Sequence, residues 1–177
     1  GDAALEINPE NPQPAPKVGP EYSGVALGED GEPFCVDKSM NMSSSDVKEK
    51  LLSLMPLIKE RLKYLTDAAE MVHFLFTEPA VPPVEQIIPK KLDSAKTKEV
   101  LEKAKDFVKA LPELSHEEQE NLAKKMAEDL GIKLGDFMMP IRMAVTGSRV
   151  SPPLMGSILI LGVEKSIERI ERTLKSF

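Results

Sequence analysis

From Val47 to the end of the chain, apolar side chains recur at helical spacing, and every run is closed by a glycine or a proline. That pattern restricts the fold to packed amphipathic helices joined by short breaks. The first run contains Leu51, Leu54, Ile58, Leu62, Val72 and Leu75, with Ser45 or Asp46 placed to cap its start. Pro56 lies inside it and predicts a kink or a split, because proline lacks the N–H and clashes one turn back. Pro79, Pro82 and Pro83 end the run, and a connector reaches Pro89.

A second helix starts at Ser94 or Thr97 and carries the stripe Val100, Leu101, Ala104, Phe107, Val108 and Leu111. Ser115-His116-Glu117-Glu118 is a capping box, in which Ser115 and Glu118 each satisfy the other's backbone N–H. The helix it starts runs to Leu130, where Gly131 is a natural stop. Leu134 to Val145 is a further helix ended by Gly147. Ser151-Pro152 reads as an N-cap followed by proline at the first helical position. That helix ends at Gly162, and a last one spans about Val163 to Lys175.

No segment reads as a strand. Aromatics are 5% of residues and Trp is absent, so the core must come from Leu, Ile, Val, Met and Ala, a helix-favouring set. The expected fold is all-α, about seven helices in two small subdomains, 46–112 and 113–177, with a break at Leu111–Ser115. Residues 1–45 are expected to be an extended acidic, Pro-rich tail.

Dividing the charge supports that tail. Residues 1–45 hold two basic side chains against eight acidic ones, which accounts for the whole net charge of −6. Residues 46–177 balance, and from Leu130 onward seven basic residues outnumber four acids. A mild basic bias at that end permits phosphate contact but is not the strong stripe of a dedicated nucleic-acid binder. The Pro9–Pro20 stretch favours polyproline II or disorder.

Catalytic chemistry is poorly supplied. His73 sits in an apolar helical run, His116 lies inside the capping box, and Cys35 is the single cysteine. Metal-ligand spacing and a Gly-rich phosphate loop are absent from the sequence, so no cofactor or metal is expected. No apolar run approaches a membrane span. The first residue is Gly1 rather than Met, which admits a removed leader. The expected compartment is cytoplasmic or the interior of a chloroplast or mitochondrion.

The informative stretch is Lys133-Leu134-Gly135-Asp136-Phe137-Met138-Met139-Pro140-Ile141-Arg142, then Ala144-Val145-Thr146-Gly147, Ser151-Pro152-Pro153-Leu154, and Leu161-Gly162-Val163-Glu164. Upstream stands Pro56-Leu57-Ile58-Lys59-Glu60-Arg61-Leu62. In order and spacing this resembles the C-terminal anticodon-binding domain of bacterial and organellar glutamyl-tRNA synthetases, over about residues 47–177. The class I motifs of such enzymes, a His-x-Gly-His element and a Lys-Met-Ser-Lys loop, do not occur here.

The resemblance implies a non-catalytic module that binds the anticodon loop of tRNA-Glu. It places Arg142, Ser151, Pro152 and Leu154 at the loop, with Lys124 or Lys125 on the preceding helix and Arg61 upstream. The residues make sense physically. Arg142 offers a planar donor fork for a base edge or phosphate. Ser151 presents a hydroxyl at a helix start, and Pro152, Pro153 and Leu154 offer an apolar surface for an unstacked base. Without the resemblance the same residues read as an arginine paired with an acid, a helix cap and a core leucine. A second function also fits: a reused fold serving as a structural subunit of a larger assembly, with protein partners contacted by the 1–45 tail.

Overall fold

The computed structural model describes residues 24–62 and 65–177. The Pro9–Pro20 stretch and the rest of the expected tail before Gly24 lie outside the described residues.

The all-α fold expected from the sequence stands, with one small two-stranded sheet added at the first described element. Strands β1 (Val25–Leu27) and β2 (Pro33–Cys35) pair antiparallel, Val25 opposite Cys35 and Leu27 opposite Pro33. The Gly28 N–H closes the turn on the Glu32 carbonyl at 2.9 Å. Residues 24–45 are therefore folded rather than an extended tail. The hairpin is tied down twice. The Cys35 thiol donates to the Phe76 carbonyl at 3.0 Å, and Asp37, which caps a 3-10 turn at Lys38–Met40, accepts the Glu78 N–H at 3.1 Å.

Helix α1 (Ser44–Ile58) begins at a capping box two residues earlier than the sequence suggests, with Ser43 as the cap and Asp46 as its third residue. It passes through Pro56 unsplit. Pro56 is solvent-exposed, so the Leu52 carbonyl it leaves unpaired lies on the wet side of the helix, where water can satisfy it. Helix α2 (Leu65–Phe76) follows, then α3 (Val84–Ile87), a single turn within the Pro-rich connector.

Helix α4 (Ser94–Ala110) is capped by Asp93, whose carboxylate accepts the Lys96 N–H at 2.7 Å. After a 3-10 turn at Leu111–Glu113, α5 (His116–Asp129) starts at the expected box of Ser115 and Glu118. Helices α6 (Leu134–Thr146), α7 (Leu154–Leu161) and α8 (Val163–Leu174) complete the chain. Eight helices thus stand among the described residues, against about seven expected.

One cluster of buried apolar side chains runs from Val47 to Ile170. Helix α4 packs on α6 and α8, and α5 packs on α6. Phe107 of α4 and Phe137 of α6 meet edge to face, centroids 5.6 Å apart. The core is thus shared by elements on both sides of residues 112/113. At the far end, the Lys50 ammonium donates to the Ile160 carbonyl and so closes the last turn of α7 with a cation.

Candidate nucleic-acid interface

Helix α6 carries Arg142 one turn before its end. Gly147 stops the helix in the left-handed region at φ +71, and a Cβ there would lie 2.8 Å from the Cβ of Pro79. Only glycine satisfies both demands. The chain then turns back, so residues 151 and 152 come over the Arg142 guanidinium. Nη1 of Arg142 donates to the Ser151 hydroxyl and, at 3.0 Å, to the Pro152 carbonyl.

The loop is bonded throughout its length. Thr146 Oγ1 donates to the Arg142 carbonyl at 2.9 Å and accepts the Ser148 N–H at 3.3 Å. Val150 N–H donates to Ser148 Oγ at 3.1 Å. Arg149 Nη2 donates to the Gln86 carbonyl of α3 at 3.1 Å.

Arg142 is half-buried and pairs with no carboxylate among the described residues. Burial, and then the neighbouring charge of Arg61, push its pKa below the ordinary arginine value. Arg61, 81 positions earlier in the chain, therefore lies near enough for its charge to act on Arg142. A bound anion would offset the charge gathered at Arg142. Arg61 itself is exposed just beyond α1.

The other expected site residues are placed differently. Ser151 is 5% exposed, Leu154 is 2% exposed and Pro152 is buried. Their side chains do not form an open apolar surface for a base. Ser151 is also not the cap of α7, which starts at Leu154 after Pro153 with no side-chain cap bond. Its hydroxyl is committed to Arg142 and to the Pro152 carbonyl. The expected cap fails because two prolines in a row, Pro152 and Pro153, delay the helix start. Lys124 and Lys125 are exposed on α5, and Lys124 lies 4.0 Å from Glu120 on its own helix. Arg149 and Val150, which the sequence does not single out, are both exposed in the loop itself. Their signal was position: they fill the gap between the Gly147 stop and Ser151.

Elsewhere the titratable groups are scattered. His73 is half-buried, with burial pushing its pKa down, and His116 is exposed 3.8 Å from Glu120. Among the described residues no group of His, Cys, Asp and Glu is arranged to hold a metal, and no helix is long and apolar enough to cross a membrane.

Residues 27–174 match the family model of an anticodon binding domain. The glutamate–tRNA ligase of Treponema denticola is 54% identical over 131 residues, covering 74% of this chain and 26% of that ligase. The ligase of Solibacter usitatus is 40% identical over 129 residues, 72% of this chain and 27% of its own length. That of Borreliella burgdorferi is 35% identical, with 73% and 26% covered. The chain spans about a quarter of the length of these curated relatives. The family match begins at residue 27, the last residue of β1, so it takes in β2 and all the helices that follow.

Proposed function

The chain belongs to the anticodon-binding-domain family and is homologous to part of glutamate–tRNA ligases, and from that premise we propose that it binds the anticodon loop of tRNA-Glu through the face where Arg142 meets Arg61. The observation that carries this reading is that pair. Arg142 is held by its loop with no carboxylate to neutralise it, beside a second exposed arginine. Arg142 supplies a rigid donor fork for a base edge or phosphate. Arg61 supplies charge at the rim, and Lys124 and Lys125 add positive charge for phosphates from α5. Ser151 and Pro152 act through Arg142 by fixing its guanidinium, while Leu154 anchors the start of α7 in the core.

Aminoacylation is named for the relatives, of which this chain spans a quarter. We assign the chain recognition rather than chemistry, and the purified chain is expected to give no glutamate-dependent ATP–pyrophosphate exchange. The reused-subunit alternative leaned on the 1–45 tail. Residues 24–45 pack as a hairpin and 3-10 turn on the domain, and the relatives named above are ligases, so that alternative is not carried forward.

The test is a titration of the chain with tRNA-Glu at low and high salt, beside Arg61→Ala and Arg142→Lys. Salt-sensitive binding weakened in both variants supports the reading. Arg61→Ala leaves the fold alone, since its side chain is exposed. Unchanged binding in both variants would overturn it.

A further inference from the structure

We propose that the segment 148–150 is the base-contacting edge of this interface, with the Val150 side chain as the apolar platform for an unpaired nucleobase. The inference rests on the anticodon-loop reading and assigns the contact within it. A single-stranded RNA loop offers flat, unstacked bases, and a binding site for them needs an apolar surface at its rim. The sequence suggests Pro152 and Leu154 for that surface, but both are buried. Val150 is 72% exposed, more than any other large hydrophobic side chain among the described residues.

One exposed valine is ordinary on a protein surface. Three features set this one apart. Its neighbour Ser151 is bonded to Arg142, so Val150 is one residue along the chain from the group that holds the guanidinium. Its other neighbour, Arg149, is anchored through Nη2 to the Gln86 carbonyl and is otherwise exposed, which puts a second donor fork on the other side. And the loop is already ordered, since Val150 N–H is bonded to Ser148 Oγ and Ser148 N–H to Thr146 Oγ1. An apolar side chain presented by a bonded loop meets its ligand without a further ordering cost. A base laid on Val150 would have its edge and its flanking phosphates within an arginine-lined rim. Val150 then supplies sequence-tolerant contact, and the arginines supply choice.

The test is a double-mutant cycle by fluorescence anisotropy. The RNAs are the tRNA-Glu anticodon stem-loop and a set of stem-loops each lacking one loop base. The proteins are the wild-type chain, Val150→Thr, which keeps the shape but exchanges one methyl for a hydroxyl, and Val150→Ile, which keeps the apolar surface and adds a methylene. The wild-type chain should bind the intact loop and lose about five- to tenfold in affinity when one particular base is missing. Val150→Thr should bind the intact loop weakly to a similar degree and lose nothing further on that abasic loop, while Val150→Ile should match wild type. Equal affinity of wild type and Val150→Thr for the intact loop, with wild-type binding present, overturns the Val150 assignment and leaves the anticodon-loop reading standing. Losses that simply add across the cycle also overturn it. Absence of any wild-type binding overturns both.

Discussion

Nε of Arg169 donates to Oε1 of Glu78 across 3.0 Å, joining α8 to the turn that follows α2. Arg169 is fully buried, and its other nitrogens donate to the Val145 carbonyl at 2.7 Å and the Thr77 carbonyl at 3.1 Å. Arg172 Nη1 and Lys165 complete the ring around Glu78, at 2.9 and 2.8 Å. Arg172 also donates to the carbonyl of Pro79, the residue against which Gly147 sits. The knot therefore fixes the last turn of α6 and the floor beneath the Arg142 loop.

Replacing Arg169 by Met should leave Glu78 under-compensated and take a donor from the buried Val145 carbonyl and the part-buried Thr77 carbonyl. Breaking a buried pair from one side costs about 3–5 kcal/mol, so urea unfolding should shift by that order. A loss no larger than that of an exposed-arginine variant would show that the knot contributes little.

Acid should loosen the same knot. Burial alone would raise the Glu78 pKa, but the Lys165 hydrogen bond and the Arg169 and Arg172 charges outweigh it, and the net result lies below the ordinary 4.5. A carboxylate depressed in the folded state contributes stability that is complete above its unfolded pKa and lost as pH falls through the folded one. Asp46 and Glu118, held low by Ser43 and Ser115 in the capping boxes, act with the same sign. The carboxylate contribution should therefore hold down to about pH 5 and be lost below it, after an earlier decline below about pH 6.5 from His73, whose pKa burial lowers. The gap between wild type and Glu78→Gln should narrow over the carboxylate loss.

Gly147→Ala tests the coupling between floor and loop. An alanine at φ +71 costs about 1–2 kcal/mol in backbone conformation, and its Cβ would press on Pro79 besides. Both stability and tRNA affinity should drop, with the affinity loss persisting at temperatures where the variant is fully folded.

Pro56→Ala should stabilise the chain. It restores the hydrogen bond to the Leu52 carbonyl inside α1, against the entropy that proline removes from the unfolded state. The net gain expected is about 1–2 kcal/mol, read as a higher melting temperature.

Much of the helical architecture was legible because its signals are local. The Ser115–Glu118 box and the Gly131, Gly147 and Gly162 stops all act within a turn of the residues that announce them. The hairpin was missed although it has a local signal, Asp30-Gly31 between two short apolar runs, because three-residue strands are too brief to show alternation. Pro56 misled because its cost depends on whether the freed carbonyl meets water, which only the packing decides. The burial of Arg169 was not legible at all, since its partner Glu78 lies 91 residues away. At the candidate interface, the sequence located Arg142 on its helix but not which neighbouring side chains are exposed, since Pro152 and Leu154 are buried. Whether Pro152 or Val150 faces solvent depends on how the loop folds back over Arg142.

The most direct test of the central claim is competition between tRNA-Glu and the same tRNA carrying replaced anticodon-loop bases, both at one stated salt concentration. Recognition through the Arg142 and Arg61 face predicts a preference of about tenfold or more for the native loop in the wild-type chain, and a preference that shrinks in Arg142→Lys. Equal affinity for the two tRNAs would contradict it.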